Sequence, residues 1–183
     1  ILAVPFYLIF GVNPVVAVIA NQVFLLILIL SIFGVGKILF NRRVGFWSAV
    51  IISFYPAVFG FSRVYTLTLP MLAIVTLNAF FLIKSKGFIN RKYSIYFGLA
   101  FGLGGLLKPR FIIYIIIPVL YYLIKNIFFL YQQRDNAKKL FIKHITINFS
   151  FAMVVACFLI FPWYSPAAFT EYLYWQDLWS TLP

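Results

Sequence analysis

The sequence predicts an all-α fold: a polytopic bundle of about six transmembrane helices, preceded by an N-terminal re-entrant or interfacial helix. Three observations carry this. Hydrophobic residues make up 64% of the 183 residues and charged residues only 10%, whereas a soluble domain carries about a quarter charged residues. Several apolar runs approach or exceed the ~20 residues that cross a bilayer. Aromatic residues reach 21%, with 23 Phe, as suits lipid-facing helices and interface belts. The formal charge of +12 does not point to nucleic acid. The basic residues sit in short clusters between apolar runs, the pattern of membrane loops rather than of one continuous basic face.

Residues 1–10 are apolar but too short to span, and Gly11-Val12-Asn13-Pro14 breaks them, with Pro14 preset for a helix start. Residues 15–40 form the first span, ending at Lys37 and the basic turn Asn41-Arg42-Arg43. Residues 44–61 form the second, with a bend expected at Pro56, where a missing N–H and a ring clash disrupt the helix. A polar corner follows, FSRVYTLTLP at 61–70, and then a short third span at 70–83. A basic loop at 84–92 leads into the fourth span, 93–107, which ends at Lys108-Pro109-Arg110. The fifth span is 111–124, with a kink expected at Pro118. Residues 125–144 read as a basic helix lying partly on the membrane surface. The sixth span is 145–162, and an aromatic loop runs to Pro183. The whole chain, 1–183, reads as part of one transmembrane domain without an internal repeat. It opens inside an apolar run, with no starting Met or basic leader, and is read as an internal fragment.

Orientation follows from charge. Lys37, Arg42, Arg43, Lys84, Lys86, Arg91, Lys92, Lys125, Arg134, Lys138, Lys139 and Lys143 fall on one side of the predicted bundle. Arg63, Lys108 and Arg110 fall on the other. The positive-inside bias puts the first group in the cytoplasm and the second outside.

The three outer cations are the main candidate site. A cation in the hydrocarbon costs roughly 2.5–3.5 kcal/mol on insertion scales, so something should compensate for them. One explanation is snorkelling to headgroups, or pairing with Glu171 and Asp177 in the tail. The other is that they hold the phosphate of a lipid carrier, for which the planar arginine fork is suited. Glu171 and Asp177 lie in FTEYLYWQDLW, which reads as a short interfacial helix. They are candidate acceptor or sugar contacts, or surface charges. Asp135 reads as a solvated loop charge. Gly98, Gly102 and Gly105 recur at i, i+4 and i+7 and make a smooth stripe for close helix packing. No metal site is expected, because His144 has no spaced partner. Gly102–Gly105 lacks the Lys-Ser/Thr of a phosphate loop. Cys157 is the sole cysteine, which excludes an internal disulfide.

With these pieces in order, the chain resembles bacterial members of the dolichyl-phosphate-mannose–protein mannosyltransferase superfamily, glycosyltransferases of the GT-C fold. The resemblance rests on KILFNRRVGFWSA, FYPAVFGFSRVY, and YSIYFGLAFGLGGLLKPRFIIYIIIPVLYYL. Within them Ser62, Arg63 and Pro70, then Gly98, Leu99, Ala100, Gly102, Leu103, Leu107 and Lys108, match the family pattern. Two positions depart from it: Thr68 stands where the family commonly has an acid, and Leu107 where Thr commonly precedes the Lys. The resemblance implies transfer of a sugar from a polyprenyl-phosphate donor to a lipid, glycan or protein acceptor. That transfer would occur on the periplasmic side of a bacterial inner membrane. It implies no cofactor beyond the lipid-linked donor. It places the general-base Asp in a first outer loop upstream of Ile1, so no catalytic base is expected within this chain. A carrier or flippase for a polyprenyl-linked glycan, and a non-catalytic scaffold subunit, are the alternatives.

Overall fold

A computed structural model describes residues 4–11, 13–64, 66–108, 110–131, 141–162 and 164. Every element among them is helical: α1 (Val4–Phe10), α2 (Pro14–Leu39), α3 (Arg42–Phe54), α4 (Pro56–Arg63), α5 (Thr68–Lys84), α6 (Arg91–Leu107), α7 (Phe111–Tyr131) and α8 (Phe141–Pro162).

Asparagine starts three of these helices. The side chains of Asn13, Asn41 and Asn90 accept from the backbone N–H of Val15, Val44 and Lys92, occupying donors that α2, α3 and α6 would otherwise leave unpaired. The expected break before α2 is present, with Gly11 at φ +78°. The expected bend at Pro56 is also present. It is a 57° break between α3 and α4, with Tyr55 extended at the joint, as a residue preceding proline should be. By contrast, α7 runs through Pro118 as one helix. It also continues past Lys125 to Tyr131, beyond the expected end at 124, and α8 already begins at Phe141. Lys125 therefore belongs to α7 and His144 to α8 rather than to a separate surface helix, and residues 132–140 lie outside the described residues. Lysine at a helix end can snorkel, so a charge does not have to stop the helix.

Two helices, α2 and α8, are long and apolar enough to cross a membrane, and the bent pair α3–α4 makes a third if counted as one span. Helices α5 and α6 have 17 residues each, about 25 Å at 1.5 Å per residue. Side chains such as Ile113, Ile117, Val154 and Phe158 point outward and are well exposed. Lipid is the solvent that accepts such a surface, and the chain is an integral membrane protein.

The bundle is organised around α5, which packs against α2, α4, α6 and α7. Leu69, Ala73, Ile74 and Leu82 of α5 are almost fully buried, against Phe24 and Leu28 of α2, Phe97 of α6, and Phe111 and Ile115 of α7. The glycine stripe of α6 receives α8. A Cβ at Gly98 would fall on the carbonyl oxygen of Ala152 and 2.8 Å from its Cα, and one at Gly102 would lie 3.3 Å from Ala156 Cα. Small residues on both helices set this close approach. A second close crossing joins α2 to α3, where a Cβ at Gly36 would lie 2.7 Å from Gly45 Cα.

Candidate functional site

Inter-helix contacts show which helix ends lie together. Asn21 and Gln22, near the start of α2, bond the end of α4. Tyr164, just after α8, donates its hydroxyl to Gly105 O near the end of α6 at 3.1 Å. At the opposite end Gly34 of α2 meets the ring of Phe80 of α5, and Gly87 meets Tyr122 and Asn126 of α7. The helices alternate in direction so that the 63–68 corner, the 108–110 turn and the end of α8 share one end. Arg63, Lys108 and Arg110 are all there and all exposed. The other described cations, Lys37, Arg42, Arg43, Lys84, Lys86, Arg91, Lys92, Lys125 and Lys143, are at or near the opposite end. The separation anticipated from charge counting is therefore present in the fold. Arg134, Lys138 and Lys139 lie outside the described residues.

The corner is held by two polar side chains from an otherwise apolar helix. Asn21 Nδ2 donates to Phe61 O at 3.2 Å and to Val64 O at 2.7 Å, and Gln22 Nε2 donates to Ser62 O at 2.9 Å. The last carbonyls of α4 have no helical acceptor role left, and in a membrane each unpaired one costs several kcal/mol. Ser62 is buried and donates its hydroxyl to Phe59 O at 2.8 Å. Arg63 projects from this clamped turn with its guanidinium 4.3 Å from the Phe59 ring centre, a cation–π contact one helical turn back.

The 108–110 turn is held from below by an aromatic plug. Lys108 is the extended C-cap of α6. Its N–H donates to Gly104 O at 3.4 Å, and its carbonyl accepts from Phe111 N at 3.0 Å. Phe111 is fully buried, with its ring against Gly104, where no Cβ would fit, and edge-on to Phe101 at 5.6 Å. Lys108 and Arg110 thus flank an anchored residue, and both reach outward.

The 63–68 corner leads into the start of α5, and Tyr114, in the first turn of α7 after the 108–110 turn, faces that start across a shared cleft. There a cleft of about 180 Å³ is lined by Thr68, Met71, Leu72 and Val75 of α5 and by Tyr114 of α7. Thr68, at the position where an acid was expected from the resemblance, is the first residue of α5 and lines this cleft. No group of His, Cys, Asp or Glu suited to a metal ion occurs among the described residues. Asp135, Glu171 and Asp177 all lie outside the described residues. Asn21, Gln22, Phe111 and Tyr164 are the supporting residues that sequence reasoning missed. The adjacent polar pair at 21–22 inside a 26-residue apolar helix was the available signal, because such groups need partners in a membrane.

Over residues 2–165 the chain matches the family model described as dolichyl-phosphate-mannose-protein mannosyltransferase. No curated protein and no solved structure gives a match. A helical membrane bundle and a match along most of the chain agree: the chain belongs to the dolichyl-phosphate-mannose-protein mannosyltransferase family, membrane glycosyltransferases of the mannosyltransferase type.

Proposed function

We propose that the protein takes a sugar from a polyprenyl-phosphate donor and attaches it to a lipid, glycan or protein acceptor at the end of the bundle that carries few charges. We assign that end to the periplasmic face of a bacterial inner membrane, because the opposite end carries the excess of Lys and Arg. The observation that carries this reading is the gathering of Arg63, Lys108 and Arg110 at one end, on two anchored turns beside the start of α5.

In the proposed reaction the bond between the anomeric carbon and the phosphate oxygen breaks, and the acceptor oxygen bonds to that carbon. The acceptor proton goes to a carboxylate base, expected upstream of Ile1 by family resemblance. Negative charge develops on the departing lipid phosphate. Cations already in place stabilise that charge without reorganising, so they favour the transition state over the bound donor. Lys108 is the first residue assigned to the phosphate, Arg63 the second and Arg110 the third. Arg63 would leave the Phe59 ring to reach it, at a cost of about 0.5–1 kcal/mol for an exposed cation–π contact. That is less than a charge-assisted hydrogen bond returns, about 1.5–3 kcal/mol. The cleft at Thr68 and Tyr114 is the adjoining space for the donor.

The test is the full-length protein in proteoliposomes with labelled polyprenyl-phosphate sugars. The wild type should release polyprenyl phosphate and label an acceptor. Lys108→Ala should abolish transfer while membrane insertion and expression persist. Undiminished turnover in Lys108→Ala would defeat the assignment.

A further inference from the structure

We propose that the basic end of the bundle carries a binding cleft for an anionic phospholipid, separate from the site above. The cleft has a volume of about 410 Å³, within the range of small-molecule sites. Its walls come from four elements: Ile38 and Leu39 of α2, Lys86 of the α5–α6 turn, Lys125 and Asn126 of α7, and Phe141 of α8. One part is apolar and part exposed, with Ile38 and Leu39 open to the surroundings. The other part is lined by Lys86 and Lys125.

The turn that places Lys86 is rigidly built. Lys86, Gly87 and Phe88 have φ of 53°, 69° and 72°, a left-handed run that only strong local contacts sustain. Phe88 is fully buried and packs edge-on against Phe97 and Phe149. Ser85 Oγ accepts from Phe88 N at 3.1 Å. Asn126 Nδ2 donates to Gly87 O at 2.9 Å, and Asn148 Nδ2 donates to Phe88 O and Ile89 O at 2.9 and 3.1 Å. Amides from α7 and α8 thus clamp three successive carbonyls and hold Lys86 at the cleft rim.

Charge complementarity selects the occupant. Lys86 and Lys125 both line the cleft and are both exposed. Lys125 Nζ lies 5.9 Å from the centre of the Tyr122 ring. A phosphodiester headgroup satisfies the two ammonium groups while its acyl chains cover Ile38 and Leu39. Basic pockets between membrane helices bind such headgroups.

Native mass spectrometry of the full-length protein in detergent tests this, with phosphatidylglycerol, phosphatidylcholine or glycerol 3-phosphate added. The wild type should retain one phosphatidylglycerol under conditions that strip phosphatidylcholine, and glycerol 3-phosphate should not displace it. The double variant Lys86→Gln/Lys125→Gln should lower retention about tenfold to thirtyfold, from about 1 kcal/mol per lysine near an anionic lipid. Leu39→Trp, which fills the apolar wall, should lower it without changing charge. The charge-matched Lys92→Gln/Lys143→Gln, at the same end but outside the cleft, should retain the lipid. Equal loss in the two double variants would overturn the proposal in favour of diffuse attraction. Displacement by glycerol 3-phosphate would overturn it in favour of a soluble anion, and equal retention of phosphatidylcholine in favour of an apolar groove.

Discussion

Replacing Asn21 by Leu tests how the 61–64 corner is held. Leucine shares the branched shape and is the larger, so the perturbation is the loss of two donors without a cavity, and the control below carries the same added volume. Phe61 O and Val64 O, accepted at 3.2 and 2.7 Å, then have no amide partner. At about 0.5–1.5 kcal/mol net per hydrogen bond the loss is about 1–3 kcal/mol. The lower part of that range matches the ~0.6 kcal/mol average measured between membrane helices. Asn78→Leu is the internal control. Asn78 is equally buried and its Oδ1, like that of Asn21, finds no partner among the described residues, but its Nδ2 bonds only Ile74 O, four residues back on its own helix. Ile74 O is already used by the helix, so removing that amide orphans nothing, and Asn78→Leu should cost less than Asn21→Leu. Heating the full-length protein in detergent and following the monodisperse fraction should show Asn21→Leu melting about 2–12 °C below Asn78→Leu. Transfer activity per folded molecule should fall only in Asn21→Leu, because Arg63 rides on the clamped turn. Equal losses in the two variants would refute the clamp, as would a neutral Asn21→Leu.

Other substitutions probe the packing. Gly98→Ala drives a methyl into the backbone of Ala152 and should cost about 1–3 kcal/mol as overpacking that cannot relax. Gly60→Ala, with nothing within 4 Å of the new Cβ, should stabilise α4 by about 0.5–1 kcal/mol. Both are read from detergent melting curves. Gly87→Ala combines a φ of +69° with a Cβ 2.6 Å from Asn126 Nδ2. It should destabilise by more than about 1 kcal/mol and loosen phosphatidylglycerol retention along with stability.

Much of this architecture was legible because membranes enforce simple rules. Alternating apolar runs and basic clusters located the helices and sorted Arg63, Lys108 and Arg110 from the remaining cations. Pro56 located a bend, and the spacing of Gly98, Gly102 and Gly105 anticipated the face that α8 occupies. Helix ends near lysine were less legible. Lys125 looked like a terminus, yet its long side chain lets α7 continue to Tyr131. Polar anchors were the other gap. Asn21, Asn126 and Asn148 each need a partner, but their acceptors lie 39 to 60 residues away in sequence. Nothing local says which carbonyl a buried amide will meet. Left-handed φ at Lys86 and Phe88 was equally hidden, since neither residue type favours it.

The central claim, that the two cationic turns face one side of the membrane and the basic loops the other, is most directly tested by labelling single cysteines in intact cells. Cys157 is exposed and is first replaced by Ser. An impermeant maleimide added from outside should then label Val64→Cys and Arg110→Cys but leave Arg43→Cys and Lys92→Cys untouched until the membrane is opened. Labelling of Val64→Cys without Arg110→Cys, or of the basic-loop cysteines first, would contradict the account.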